Sequence, residues 1–341
     1  MSSERRDHVT EANDDLQALE SDLRSLQRAR EAITEVVVGQ DETVEQLLVC
    51  MLSGGHALIE GAPGLGKTLL VRTIADVLGL EYSRVQFTPD LMPADVTGTL
   101  ALVYEDGKPV TRFQPGPIFA QLVLADEINR STPKTQAALL EAMQEHTVTV
   151  AGTAHRMMEP FLVLATQNPF EMDGTYALPE AQIDRFFFKV TVEHPSEETL
   201  VQILDLTTGA EARPARRVLE AADLVRLQRL VREVPMASHV KLAIARFVRS
   251  TLPTETGSNQ DVRRYVRFGV SPRGAQALAL AAKARALLAG RYNASLDDVR
   301  AALLPALRHR LQLNYQGTAE GISVDAMLRE LFEAQARTVA T

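Results

Sequence analysis

The stretch that decides the fold is Gly61-Ala62-Pro63-Gly64-Leu65-Gly66-Lys67-Thr68. It matches the phosphate-binding loop pattern G-x-x-x-x-G-K-[ST]. An apolar run at 57–60 precedes it and predicts a strand, and residues 67–79 follow it with apolar side chains at helical spacing. Glycines let a backbone wrap closely around a polyphosphate, and a helix N-terminus offers free N–H groups to an anion. This context favours nucleotide binding over a chance glycine-rich turn.

The side chains at the end of this stretch have the chemistry that a nucleotide needs. A lysine in this position reaches the β- and γ-phosphates, and a following hydroxyl holds Mg²⁺. We therefore expect Lys67 to bind phosphate and Thr68 to bind the metal ion.

The composition of the chain is that of an ordinary globular protein. Of 341 residues, 45% are hydrophobic and 23% are charged, and the length suggests two domains. The net charge of -8 disfavours broad nucleic-acid binding. Cys50 is the only cysteine, so a disulfide within the chain is excluded, and its apolar neighbours predict a core position. No apolar run reaches membrane-spanning length and the start lacks a signal-type segment, which predicts a cytoplasmic protein.

The pattern along the chain predicts three parts. Residues 1–30 are expected to form a polar tail, disordered over 1–9, and an amphipathic helix that packs on its own domain in preference to forming a short coiled coil. Residues 31–195 alternate strand and helix candidates, which predicts a doubly wound parallel sheet with ligands at the carboxyl ends of its strands. Residues 196–341 read as almost all helix, with an exposed loop at 251–262.

The positions of the elements follow from the same pattern. Strands are predicted at 57–60, 82–87, 121–125, 161–166 and 186–192, and helices between them at 43–53, 67–79, 133–145 and 179–184. Two inserts interrupt the alternation, at 88–118 and 147–160, and each contains a β-hairpin signal. The later helices are predicted at 196–207, 220–232, 238–250, 273–289, 295–304 and 323–337.

Two carboxylates end the third predicted strand. Asp126 and Glu127 follow an apolar run and lie 59 residues after Lys67. Acidic residues at a strand end are common in solvent, but after a phosphate loop they favour a functional interpretation. Asp126 is expected to complete the Mg²⁺ shell with Thr68, and Glu127 to polarise the water that attacks the γ-phosphate.

Three further polar residues have two interpretations each. Asn168 follows a buried strand and could hold the attacking water, although Asn-Pro is also a common turn. Arg185 at a helix end could bind transition-state charge on a neighbouring subunit's phosphate or simply cap the helix. Arg273 lies near a helix N-terminus, where the dipole disfavours a cation, and indicates either a nearby anion or a solvated side chain.

Taken together and in this order, these elements resemble the AAA+ ATPases and, more closely, the MoxR family. The resemblance covers roughly 30–341. Its motifs are Val38-Gly39-Gln40, residues 61–68, Asp126 to Arg130, Ala165 to Pro169, Leu178 to Phe186, Tyr265 to Gly269, Ser271 to Ala275 and Leu307 to Arg310. The runs Leu178–Phe186 and Ser271–Ala275 are the specific ones.

The resemblance implies a P-loop AAA+ core followed by an all-helical lid domain, with a role for each motif. Val38 and Gly39 would line the adenine pocket and residues 61–69 would hold ATP. Leu69 would be the last of these nucleotide-contacting residues. Asp126 and Glu127 would form the Walker B motif. Asn168 would be sensor 1, Arg185 the arginine finger and Arg273 sensor 2. The insert at 88–118 would be the helix-2 insertion.

The resemblance also implies a homohexameric ring that uses ATP and Mg²⁺ to remodel or mature protein clients, with a partner that carries a von Willebrand factor A domain. Two alternatives stay open. One is the motor subunit of a metal-chelatase complex, which shares this architecture, and the other is a nucleotide-dependent switch with little turnover, against which Glu127 argues. A DNA motor is disfavoured, because the charge is negative and no basic helix-turn-helix candidate is present.

Overall fold

A computed structural model describes residues 3–106, 108–169, 174–208, 214–255 and 259–339. The strands within these ranges are β1 (Ala57–Glu60), β2 (Tyr82–Gln86), β3 (Gly98–Glu105), β4 (Lys108–Pro115), β5 (Leu122–Asp126), β6 (Thr147–Val150), β7 (Thr153–Arg156), β8 (Leu162–Gln167), β9 (Phe188–Thr191), β10 (Val266–Phe268) and β11 (Gln312–Leu313).

The helices are α1 (Ser3–Thr34), α2 (Asp41–Leu52), α3 (Lys67–Val77), α4 (Pro93–Thr97), α5 (Pro133–Glu145), α6 (Glu180–Ile183), α7 (Glu197–Thr207), α8 (Ala221–Glu233), α9 (Ser238–Ser250), α10 (Gln260–Tyr265), α11 (Pro272–Leu288), α12 (Leu296–Leu307), α13 (Tyr315–Ala319) and α14 (Val324–Val339). In the described ranges, no helix is both long and apolar enough to cross a membrane.

The five strands predicted for the core form one parallel sheet in the order β2-β5-β8-β1-β9. This confirms the predicted α/β class. Parallel strands leave their carboxyl ends at the same edge of a sheet, so the segments that follow β1, β5 and β8 meet there. The phosphate loop follows β1, the two acids end β5, and Asn168 follows β8.

Both faces of the sheet are buried, which explains the continuous apolar runs of its central strands. Leu122 and Leu124 face a cluster that includes side chains of α2 and α3. Val123 and Ala125 point to the opposite face, where Leu139 of α5 covers them. Alternate side chains of a strand lie on opposite faces, so β5 contributes to two cores at once.

The two inserts form the hairpins that the sequence predicts. β3 pairs antiparallel with β4, with Glu105 opposite Lys108, and β6 pairs antiparallel with β7. A short helix, α4, precedes the first hairpin and was not predicted. The rings of Phe113 and His155 stack with centroids 3.8 Å apart, so the two hairpins contact each other.

Two sequence-based expectations are wrong. The expected disorder over 1–9 does not hold for residues 3–9, because α1 begins at Ser3, and residues 1 and 2 lie outside the described ranges. The apolar face of α1 does pack on its own chain, as predicted, with Leu26 and Ile33 fully buried. The expected loop at 251–262 is shorter, since Thr251 is buried and α10 begins at Gln260, while 256–258 lie outside the described ranges.

The helical part packs directly on the sheet and on α2. Side chains such as Phe247, Leu278 and Leu303 belong to the same buried cluster as Leu122 and Val190. Helix α12 contacts β9, and helix α11 contacts α2. The turn after α12 therefore lies beside the segment that precedes β9, which matters for the site described below.

Candidate functional site

The loop between β1 and α3 forms an open cradle for an anion. Gly64 and Gly66 have φ angles of 82° and 74°, a left-handed conformation that glycine adopts without a steric penalty. A Cβ added at Gly64 would meet nothing within 4 Å, so the backbone is open to a ligand there. Gly66 caps the N-terminus of α3, which has eleven residues, and its first N–H groups have no partner in the helix. These features fit the phosphates of a nucleotide.

The Lys67 side chain lies inside this cradle. Its Nζ donates hydrogen bonds to the carbonyl oxygens of Gly61 and Ala62. Burial lowers the pKa of Lys67, while the nearby charges of Asp126 and Glu127 act in the opposite direction. The structure thus brings the lysine and the two acids together, as the sequence predicts. Thr68 follows Lys67 as the second residue of α3.

Asp126 and Glu127 are held by Thr166, a residue to which sequence analysis assigned no role. The hydroxyl of Thr166 donates a 2.6 Å hydrogen bond to Oδ1 of Asp126 and accepts a 2.8 Å bond from the backbone N–H of Glu127. Thr166 is fully buried on β8. Glu127 has a φ angle of 55°, which is uncommon for a residue with a Cβ and stores strain where it occurs. The strand β8 therefore sets the positions of both acids.

Two side chains of β2 also contact the acids and were missed from the sequence. Arg84 donates to Oδ2 of Asp126 from Nε at 3.1 Å and from Nη2 at 2.7 Å. Gln86 donates a 2.8 Å hydrogen bond to Oε2 of Glu127, which also lies 3.2 Å from Nη1 of Arg130. Residues 84 and 86 point to one face of β2 because their spacing is two. The only sequence signal for these contacts was the alternation of side chains along β2. That alternation does not reveal which strand is the neighbour of β2 in the sheet.

Asn168 lies between the acids and the phosphate loop. It follows β8, which is flanked by β5 on one side and β1 on the other. The backbone N–H of Gly61 donates to the carbonyl of Gln167 at 3.4 Å, so the loop begins next to this residue. Asn168 is only 8% exposed. Asn168 therefore lies at the edge of the sheet predicted from the sequence.

A cavity of about 1120 Å³ lies on one side of the loop. Its walls include Val38 and Gly39, the loop residues 63–66, Leu69, and one side of α7. Gln40 joins two of these walls, because its Nε2 donates a 2.9 Å hydrogen bond to the carbonyl of Leu65. The mixture of apolar walls and an adjoining anion cradle fits a nucleotide base and its phosphates. The residues expected to bind adenine and phosphate therefore meet in one place.

A second cavity, of about 740 Å³, holds the two arginines. Among the residues that the structure describes, it shares no lining residue with the first cavity. Its charged lining is mostly basic and consists of Arg185, Arg232, Arg273, Lys283 and Arg310, with Asp184 as the acid. Burial lowers the pKa of Lys283, and Lys241 adds to this effect. The sequence did not predict that Arg185 and Arg273 share a basic cavity away from the phosphate loop.

The two arginines, Arg185 and Arg273, differ in their contacts. Arg185 follows α6 and its Nη1 donates a 2.8 Å hydrogen bond to the carbonyl of Leu140. Arg273 is the second residue of α11, and its side chain is 57% exposed. The anion near this helix N-terminus is the carboxylate of Asp184, whose Oδ2 lies 3.8 Å from Nη1 of Arg273. A weak, exposed ion pair of this kind leaves Arg273 able to bind another anion.

The chain is similar to known proteins over most of its length. The sequence pattern described as "ATPase family associated with various cellular activities (AAA)" matches residues 56–188, and that of the AAA lid domain matches residues 258–331. Chaperone MoxR1 of Mycobacterium tuberculosis is 41% identical over 320 residues, which cover 94% of this chain and 84% of that protein. Protein MoxR of Paracoccus denitrificans is 35% identical over 306 residues, which cover 84% of this chain and 88% of that protein.

A solved structure has the same fold over nearly the whole chain. The crystal structure of a protein from Cytophaga hutchinsonii superimposes with a TM-score of 0.88 at 35% sequence identity, and the match covers 95% of this chain and 98% of that one. The chain therefore belongs to the MoxR family of AAA+ ATPases.

Proposed function

We propose that this ATPase assembles into a ring, hydrolyses ATP to ADP and phosphate with Mg²⁺, and uses the energy to remodel or mature protein clients. The observation that carries the proposal is the separation of the two cavities. Residues 63–66 of the phosphate loop line one cavity, while Arg185 and Arg273 line the other. A hydrolytic site that needs both sets of residues is completed only when the second cavity of one subunit faces the first cavity of the next.

Within one subunit, five residues would act on the nucleotide. Lys67 binds the phosphates, Thr68 and Asp126 hold the metal ion, and Glu127 accepts a proton from the attacking water. Asn168 orients that water. The bound Mg²⁺ would neutralise charge on the phosphate oxygens. The closeness of Lys67 to both carboxylates and the open backbone at Gly64 support this assignment.

The neighbouring subunit would supply the arginines. A guanidinium suits the negative charge that develops on the transferred phosphoryl group. Arg185 would be the arginine finger, and Arg273 would act on the same neighbouring nucleotide and not on its own. The shared cavity supports this choice, since both arginines lie beside Asp184 and neither lines the cavity next to the loop.

The first hairpin is the best candidate for contact with a client. Leu100, Leu102 and Tyr104 project from one side of β3 and are 43%, 63% and 73% exposed. Exposed apolar side chains in a row are typical of protein-binding surfaces. A hexameric ring would bring six such hairpins together, and a partner with a von Willebrand factor A domain would select the client.

The test is the ATPase rate as a function of protein concentration, with the mass measured in parallel with and without ATP. A specific rate that rises as a ring-sized species forms supports the proposal, whereas a constant rate from a monomer contradicts the shared site. Glu127→Gln should bind ATP, stay assembled and lose hydrolysis by 100-fold or more, in the range of general-base catalysis, roughly 10²–10⁴. Glu330→Gln, at an exposed position on α14, is the matched control and should keep the parent rate.

A further inference from the structure

The turn after α12 contacts the loop that carries Arg185. This turn, Arg308-His309-Arg310, belongs to the run 307–310, one of the motifs of the family resemblance to which the sequence gives no role. Arg310 is 8% exposed although it carries a charge. A buried cation is costly unless its N–H groups all find acceptors, so its partners identify what it is there to hold.

All five N–H donors of Arg310 have acceptors, and four of these acceptors belong to residues 184–187. Nε donates to Oδ1 of Asp184 at 2.8 Å. Nη2 donates to the carbonyls of Asp184 at 3.3 Å and Phe186 at 2.8 Å, and Nη1 donates to the carbonyl of Phe187 at 3.0 Å. The fifth bond goes to the carbonyl of Ala306 in α12. One guanidinium thus links the end of a lid helix to the backbone on both sides of Arg185.

Two further contacts tighten the same connection. Nε2 of His309 lies 3.0 Å from the carbonyl of Phe186. Burial, followed by the charge of Arg310, lowers the pKa of His309 well below its usual value, so the ring is neutral and its Nε2–H donates. The second carboxylate oxygen of Asp184 faces Arg273, so that Asp184 lies between two arginines of the lid, Arg273 and Arg310.

We propose that Arg310 is a positioning residue for Arg185: it holds the backbone of 184–187 against the lid, so that the finger and the lid move as one body. The proposal rests on the function proposed above, in which Arg185 acts on a neighbouring subunit. A finger must reach its phosphate within about 0.5 Å of the productive position to be effective. Because Arg310 holds the backbone on both sides of Arg185, the loop provides that accuracy. If the lid moves when its own subunit binds or releases a nucleotide, Arg185 would move with it, towards or away from the neighbouring subunit.

The first variant is Arg310→Lys. An ammonium keeps the charge but has three donors in place of the planar fork of five, so it cannot hold all the carbonyls. We expect kcat of the assembled ATPase to fall about tenfold or more, while the affinity of a fluorescent ADP analogue for the subunit's own loop changes less than about twofold. Arg291→Lys is the control, because Arg291 also pairs with a lid carboxylate, Asp298, but does not contact 184–187. It should keep the parent kcat.

Mixed rings separate positioning from a general loss of structure. Arg310→Lys subunits supply an intact phosphate loop, and Lys67→Ala subunits supply an intact, correctly positioned Arg185. Mixing the two should restore activity to the same extent as mixing Arg185→Ala with Lys67→Ala. The double variant Arg185→Ala/Arg310→Lys should be no slower than Arg185→Ala alone, since Arg310 acts only through Arg185.

Each outcome has a distinct meaning. If Arg185→Ala is rescued in mixtures and Arg310→Lys is not, or if the double variant is slower than either single variant, the positioning role is wrong and the shared site stands. If neither is rescued, the shared site fails and the positioning role falls with it. Should Arg310→Lys fail to fold, Asp184→Asn tests the same link from the other side, because it removes the charge that faces Nε of Arg310, and it should show the same rescue.

Discussion

Nε2 of Gln86 donates a 2.8 Å hydrogen bond to Oε2 of Glu127, the proposed base. A carboxylate oxygen that already accepts a hydrogen bond is a weaker acceptor for a proton from water. Gln86→Leu should therefore raise the basal ATPase rate several-fold without changing nucleotide affinity. Steady-state kinetics with a binding titration measures both quantities. In a Glu127→Gln background the same change should have no effect on the rate, and a rate change there would show that Gln86 acts elsewhere.

Thr166 should contribute to both stability and catalysis, because its hydroxyl bonds to Asp126 and to the backbone of Glu127. Thr166→Val has nearly the same shape but leaves both groups without this partner, at a cost of about 1–3 kcal/mol. We expect a lower free energy of unfolding and a higher Mg²⁺ concentration for half-maximal activity. Thr166→Ser keeps the hydroxyl and is the matched control. Equal behaviour of the valine and serine variants would contradict this role.

Gly39 and Thr199 pack against each other in the wall of the first cavity. A Cβ at Gly39 would lie 2.1 Å from Cγ2 of Thr199, and the φ angle of Gly39 is 73°. Gly39→Ala should lower stability by the backbone strain, about 1–2 kcal/mol, and further by the clash with α7. Adding Thr199→Ala should recover the part due to the clash but not the strain. Thermal unfolding of both single variants and the double variant tests this, and simple additivity of the losses would rule out the contact.

His56 should make the protein sensitive to acid. Burial lowers the pKa of His56 from 6.5 to about 4, and Nδ1 accepts a 2.9 Å hydrogen bond from the N–H of Val163 while Nε2 lies 3.0 Å from the carbonyl of Met143. The unfolded chain binds this proton more readily, so the stabilisation present above pH 6.5 is lost as the pH falls towards 4, to a total of roughly 3 kcal/mol.

His56→Gln tests that dependence, because an amide can accept from Val163 and donate to Met143 without titrating. The urea midpoint of this variant should fall less between pH 6.5 and 4 than that of the parent. The exposed His239→Gln is the control and should follow the parent curve. A parallel fall in all three proteins would exclude His56 as the cause. Because the pKa of His309 is also lowered by burial, some acid sensitivity should remain in His56→Gln.

Local patterns were enough to predict the central sheet and most of the residues around the phosphate loop. The glycine loop, the buried strands and the acids after β5 are read within short windows, and parallel strands end at a common edge. Polar composition is a poor guide at residues 3–9, at Thr251 and at 260–262, where the structure is helical or buried and not an exposed, irregular segment. Thr251 is buried in spite of its polarity, since its hydroxyl accepts from the N–H of Val270 and donates to the carbonyl of Val248.

The contacts of Arg84, Gln86 and Arg310 could not be predicted in this way. Gln86 meets Glu127 because β2 lies beside β5 with Gln86 opposite Asp126, and strand order is set by packing and not by either strand alone. Arg310 is 126 residues from Asp184 in sequence, yet their side chains share a 2.8 Å hydrogen bond. Such pairs depend on how the lid packs against β9.

The sequence by itself predicted the nucleotide chemistry proposed for this protein, because the glycine loop, Lys67 and the acids are each recognised within a short stretch of the chain. Only the tertiary structure decided where Arg185 and Arg273 lie, in a basic cavity apart from that loop. The physical reason is that the lid packs through one buried cluster onto α2 and the sheet, on the side that brings α11 and the turn after α12 to residues 184–187. That packing, and no motif, separates the two halves of the proposed catalytic site.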